Sequence, residues 1–130
     1  MKIAFRTDAS ISIGTGHFMR CLTLAVELKQ KDFEVSFISR NLPAYLRDML
    51  KKNGFVYVPL GVSGTHEPID ELLHSSWLGT SQYQDAKATV QALADYFCDW
   101  LIVDHYALDE RWEKTVRVCC KKLMVIDDLA

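Results

Sequence analysis

The chain has 130 residues, 49% of them hydrophobic and 25% charged, with a formal net charge of -2. One domain with a buried core fits that length, and the faintly acidic balance, with no polybasic block, argues against nucleic acid or an anionic membrane as partner. No apolar run approaches the roughly 20 residues of a membrane span, and Met1-Lys2 leads straight into a strand pattern rather than a signal peptide.

Short apolar runs alternate with helical patterns along the whole chain. The first run predicts a strand over 2–5. A polar stretch over 6–17 follows, holding Gly14-Thr15-Gly16-His17, and then a helix over 18–30 with Phe18, Leu22, Ala25 and Leu28 at helical spacing. Next come a strand over 34–38, a helix over 43–53 that opens with Pro43 and closes before Gly54, and a strand over 55–58. Residues 60–79 read as one long irregular segment with Gly61, Gly64, Pro68 and Gly79, in which 69–73 is a candidate short helix. A helix over 81–97 carrying Ala88, Leu93 and Tyr96 leads to a strand over 100–103. A helix over 109–118 has Asp109 as N-cap and Trp112 and Val116 as core candidates. The last strand is predicted over 123–126, with Asp127-Asp128 in the turn after it.

Apolar residues in these strands are mostly continuous rather than alternating, as in strands buried on both faces of a parallel sheet. Repeated β-α-β units predict an α/β fold: a Rossmann-like doubly wound parallel sheet with right-handed crossovers. The chain stops directly after its last strand pattern, where such a domain usually continues, and it is read as the N-terminal part of a longer protein. Cys21, Cys98, Cys119 and Cys120 match no zinc spacing and make a poor disulfide framework, so reduced, buried thiols in a cytoplasmic protein are expected.

Ligands of such sheets bind beyond the carboxyl ends of the strands, where strand order reverses. With an assumed order of 3-2-1-4-5, that point lies between the first and fourth strands. Asp8, Gly14, Thr15, Gly16, His17 and Arg20 would then face Asp104, His105 and Tyr106, with Asp127 and Asp128 on the same edge. His17 is a candidate general base, since an imidazole titrates near neutrality and the positive end of a helix favours its neutral form. The glycines fall short of a dinucleotide fingerprint because Met19 occupies the third glycine position, but they allow a close backbone approach to a phosphate or sugar. Arg20 is a cation in a helix's first turn, opposing the dipole. It either extends into solvent, balances Asp8 or contacts an anionic substrate. Asp8 is read equally as a ligand-binding carboxylate or as one bonding its own loop. Asp104-His105-Tyr106 brings more polar groups than a turn requires. His66 and His74 lack ligand spacing, and Trp77 is read as a core anchor in preference to an aromatic lid.

Several of these residues carry a family resemblance. The pattern Arg6-x-Asp8-x-Ser10-x-x-Ile13-Gly14-x-Gly16-His17-x-Met19-Arg20-Cys21-Leu22-x-Leu24-Ala25 resembles the opening motif of the UDP-sugar hydrolases of pseudaminic acid biosynthesis. Trp77-Leu78-Gly79-Thr80-Ser81-Gln82-Tyr83-Gln84-Asp85-Ala86 is similar to their middle segment, and Val103-Asp104-His105-Tyr106-x-Leu108-Asp109-x-Arg111-Trp112-Glu113 and Ile126-Asp127-Asp128-Leu129-Ala130 to two further ones. Ala107 stands where a glycine is expected.

The resemblance implies a two-domain fold of the glycosyltransferase B type, of which this chain is the N-terminal half. It implies release of UDP from UDP-2,4-diacetamido-2,4,6-trideoxy-β-L-altropyranose by water attacking the anomeric carbon with inversion, without a metal ion or other cofactor. The residue corresponding to His17 is the base and Tyr106 a second active-site residue, with Asp8 and the 14–16 turn in the sugar pocket. The UDP is expected mainly on a C-terminal domain in cis, so the isolated chain is expected to be inactive and to bind UDP weakly. A glycosyltransferase, with a sugar hydroxyl replacing water, and a non-catalytic sugar-nucleotide binding module on the same fold remain the alternatives.

Overall fold

A computed structural model describes residues 1–10, 14–60, 82–94, 98–105 and 108–126 of the chain. The strands are β1 (Lys2–Thr7), β2 (Glu34–Ser39), β3 (Val56–Pro59), β4 (Cys98–Asp104) and β5 (Cys120–Val125), and the helices α1 (Gly16–Gln30), α2 (Ala44–Lys52), α3 (Gln82–Ala92) and α4 (Glu110–Val116). Every strand pairing is parallel, in the order β3-β2-β1-β4-β5. The sheet is that of the expected Rossmann-like α/β fold, and its order is the assumed one.

The continuous apolar runs have a simple cause: successive residues of a buried strand serve opposite faces. Ile3, Phe5, Phe37 and Ile102 pack with Phe18, Leu22 and Ala25 of α1 and Leu46 and Leu50 of α2. Ala4, Ile38, Leu101 and Val103 pack with Ala86 of α3 and Trp112 and Val116 of α4. Phe5 stacks on Phe37 at 5.0 Å between ring centroids, and Phe18 and Phe55 tilt against Phe37 at 5.6 Å each. Full burial of each such ring stabilises by about 1.5–3 kcal/mol.

Two helices end in the same way. Beyond α2, Gly54 takes φ +76, while its N–H reaches Lys51 O and that of Phe55 reaches Leu50 O. Beyond α1, Asp32 takes φ 66, with Asp32 N–H on Lys29 O and Phe33 N–H on Leu28 O. These paired bonds close the last turn and aim the chain at the next strand; aspartate is among the few side chains that tolerate the left-handed conformation.

Several boundaries differ from expectation. β1 runs on to Thr7 and β2 to Ser39 because Arg6, Thr7 and Ser39 are buried despite their polarity. α1 starts at Gly16 and α3 ends at Ala92. α4 gives way after Val116 to a 3-10 turn over Arg117–Cys119. β5 begins at Cys120, opposite Cys98, rather than at Leu123. At the edge of the described sheet, it keeps Lys121 and Lys122 exposed, so no apolar run announces its start.

All four cysteines are free and buried. Burial pushes the Cys98 thiol up to about 12 and that of Cys119 to about 11, which keeps both protonated and unreactive. No described helix is long and apolar enough to cross a membrane. The irregular segment, with its candidate helix and Trp77, lies almost wholly outside the described residues, as do residues 95–97.

Candidate functional site

Thr7 and Asp104 are register partners on β1 and β4, so the chain just beyond each strand enters the same space. Past β1 the backbone turns back on itself: Ser10 and Gly14 form an antiparallel bridge, with Gly14 N–H on Ser10 O at 2.7 Å. Gly14 holds φ +79, a conformation that disfavours any side chain. Thr15 is the N-cap of α1, with no side-chain capping bond, and Gly16 is the first helical residue. A Cβ on Gly16 would meet no described atom within 4 Å. This turn delivers His17 to the carboxyl edge of β4.

There His17 Nδ1 lies 2.5 Å from Asp104 Oδ1. Arg20, one helical turn on and therefore on the same face of α1, forks onto the same carboxylate through Nε to Oδ2 and Nη2 to Oδ1. The Cys21 thiol donates to Asp104 Oδ2 at 3.7 Å. Burial pushes the Asp104 carboxyl upward, but the hydrogen bonds and charges of Arg20 and His17 hold it below its ordinary range. Asp104 is therefore an ionised acceptor, so His17 Nδ1 must be the donor, and Nε2 is left as the basic nitrogen of the ring. An imidazole held in this way can accept a proton at Nε2.

A second polar group fills the space beside it. Asp8 Oδ1 accepts from Arg6 Nη1 at 2.8 Å, Arg40 N at 2.7 Å and Asn41 N at 3.2 Å. Asp8 Oδ2 pairs with His105 Nε2 at 2.9 Å. Asp8 is thus buried and bonds the loop after β2 as well as its own strand end. Arg6 turns to Asp85 of α3, with Nε on Oδ1 at 3.1 Å and Nη2 on Oδ2 at 2.5 Å. Arg40 Nε and Trp112 Nε1 reach the same Asp85 carboxylate at 3.0 and 2.8 Å. Burial opposes all three charges, yet Asp8 and Asp85 keep Arg6 protonated, and Arg6 in turn holds both carboxyls well below their usual range. Gln82 Oε1 accepts from Asp109 N at 2.9 Å, tying the start of α3 to the start of α4. Asp109 caps α4 as expected, its side chain accepting from Arg111 N.

The structure therefore brings His17, Arg20 and Asp104 into one group and Asp8 and His105 into an adjoining one, with the Gly14-Thr15-Gly16 turn leading into the first. Arg20 meets Asp104 where the sequence suggested solvent, Asp8 or a substrate anion. Tyr106, Asp127 and Asp128 lie outside the described residues. Sequence reasoning put Arg6 in the stretch just past the first strand without giving it a role, and did not place Arg40 and Asp85 at this edge. A signal was present: Asp85 falls on the stripe of α3 that carries Gln82, Ala86 and Thr89, all buried. A carboxylate on a core-facing stripe requires a buried cation.

Among the described residues no group of three or more His, Cys, Asp or Glu is arranged to hold a metal ion. A groove of about 340 Å³ lies elsewhere, on the α1 face of the sheet, lined by apolar side chains such as Leu24, Leu28, Trp100 and Met124 and by none of the polar residues of the two groups.

No family model matches the chain. Over 129 residues it is 26% identical to an uncharacterized protein, MJ1062, of Methanocaldococcus jannaschii, the match covering 98% of this chain and 22% of that protein. The chain thus spans about a fifth of the length of that relative.

Proposed function

We propose that this chain is the N-terminal half of a cytoplasmic UDP-sugar hydrolase that releases UDP from UDP-2,4-diacetamido-2,4,6-trideoxy-β-L-altropyranose. The observation that carries the reading is the His17–Asp104 pair at the carboxyl edge between β1 and β4, 2.5 Å apart, where ligands of such sheets bind. Four sequence motifs in register with the hydrolases of pseudaminic acid biosynthesis supply the substrate.

In the reaction, His17 Nε2 accepts a proton from a water molecule set against the anomeric carbon. The water oxygen bonds that carbon from the face opposite UDP, and the bond from carbon to the β-phosphate oxygen breaks with its electron pair leaving on UDP. Inversion follows from attack on the opposite face. A nucleoside diphosphate departs without protonation, so the protein must supply position, water activation and charge stabilisation. Asp104 holds the imidazole in place, Tyr106 is the second residue at the sugar, and a second domain in cis carries most of the diphosphate contacts.

The test is incubation of the intact two-domain protein with the UDP-sugar and no acceptor. UDP release at an undiminished rate supports hydrolysis; dependence on an added sugar acceptor replaces it with glycosyl transfer. His17→Asn is expected to lower kcat by at least about 10²-fold, the usual contribution of a general base, with unfolding unchanged. A His17→Asn protein that turns over near the wild-type rate removes His17 from the chemistry.

A further inference from the structure

We propose that Arg20 is a positioning residue for His17, acting through Asp104 to hold the imidazole in one orientation and to keep the resting ring uncharged. The proposal rests on reading His17 as the base, and it concerns how that base is kept ready. An aspartate alone beside a histidine favours the imidazolium, a form with no lone pair to accept a proton. Here the aspartate is already compensated. Arg20 engages both oxygens of Asp104, and Oδ1 is shared between Arg20 Nη2 and His17 Nδ1. The two donors are themselves 3.4 Å apart. A proton added at Nε2 would thus create a second cation against the guanidinium, while the carboxylate between them is satisfied by both.

Among the described residues, the other groups around this ring are either part of the same cluster or paired among themselves. Asp104 comes from β4, and Arg20 and Cys21 from α1; burial raises the Cys21 thiol, so it contributes a dipole and no charge. Beyond them, Arg6, Asp8 and His105 at the ends of β1 and β4 are bonded to one another and to Asp85. The first turn of α1 carries no acidic residue, and the helix dipole adds positive potential at His17. The position of Arg20, unfavourable for a cation on the helix alone, is offset by Asp104. With its side chain one-third exposed at 33%, Arg20 can be replaced without opening the core.

The experiment follows the His17 ring by long-range ¹H–¹⁵N correlation spectra of the chain across pH, with no substrate present. The wild type is expected to show Nδ1 protonated and Nε2 bare at neutral pH. Arg20→Gln is expected to move imidazolium formation to higher pH by about 1 unit, the size of effect expected for removal of one adjacent charge. Arg20→Lys, which keeps the charge and loses the fork, should lie between the two. Asp104→Asn should move it the opposite way. Arg20→Gln and Asp104→Asn moving it together, or neither moving it, overturns the proposal, as does a wild-type ring protonated at Nε2. Because no turnover is read, failure here is distinguishable from failure of the hydrolase reading, which His17→Asn kinetics address separately.

Discussion

His105 Nε2 reaches Asp8 Oδ2 at 2.9 Å across 97 residues of sequence, because Thr7 and Asp104 face each other one step earlier in the β1–β4 register. Each strand end thereby contributes an aspartate that engages a histidine carried by another element: Asp8 takes His105 beyond β4, and Asp104 takes His17 from α1. The carboxyl edge is cross-laced, so a change on one strand is felt by the other.

Asp85 is the group on which stability should depend most. Its carboxylate gathers Arg6, Arg40 and Trp112 at full burial. Asp85→Ala takes from Arg6 the carboxylate that binds Nε and Nη2, leaving Asp8 on Nη1, and takes from buried Arg40 its Nε partner; it is expected to cost about 3–5 kcal/mol, read as a fall in the denaturant midpoint. Arg6→Met combined with Asp85→Leu should cost much less than the two single changes summed. Additivity in that cycle would mean that the pair is not coupled.

Acid should unfold the chain. Asp8, Asp85 and Asp104 all titrate below their ordinary range: burial pushes each upward but is outweighed by Arg6 for the first two and by Arg20 and His17 for the third. Their stabilisation is fully present above the unfolded-state value of about 3.9 and is lost as pH falls through the lower folded-state values. Stability from these groups should therefore be flat above about pH 5 and decline progressively below about pH 4. Denaturant midpoints that rise on acidification through that window would contradict the assignment.

The two glycines of the turn should behave differently. Gly14→Ala forces a side chain into φ +79 and is expected to cost about 1–2 kcal/mol. Gly16→Ala meets no described atom and sits at the start of α1, so thermal unfolding should show it neutral or stabilising by up to about 1 kcal/mol. If Gly16→Ala leaves folding intact while substrate turnover in the intact protein drops, the glycine serves approach of the sugar rather than the fold.

Affinity for UDP should be weak in the isolated chain, since the proposed reading puts the diphosphate on a second domain. Calorimetric titration of the 130-residue chain with UDP is expected to show no saturable heat at micromolar concentrations. Micromolar binding would assign the nucleotide to this half.

The sheet was legible because its strands are buried on both faces and therefore written as apolar runs; Leu101-Ile102-Val103 and Ile3-Ala4-Phe5 could hardly be anything else. β5 was misplaced at its start because a strand at the edge of the described sheet need not hide Lys121 and Lys122. At the site, His17, Arg20 and Asp104 could be nominated from their positions after strands and in a first turn, but their mutual bonds could not. Which carboxylate Arg20 would choose depended on a register of five paired residues between β1 and β4, and no local pattern encodes that. Arg6 was hidden by its strand: a charge directly after Phe5 reads as the strand's end, and only its partner 79 residues away explains why the strand continues.

That separation bears on how the molecule assembles. Arg6 has Asp8 beside it at its own strand end, but Asp85 cannot dock as a lone anion, so the docking of α3 and the burial of the far end of β1 are coupled into one event. Arg40 and Trp112 are bound into the same event through the Asp85 carboxylate. A partly open form, with the sheet built and its polar rim still loose, would strand these charges in an apolar setting. The rim is thus expected to exchange its amide hydrogens in step with the core rather than ahead of it, which makes the site an all-or-none property of the folded domain.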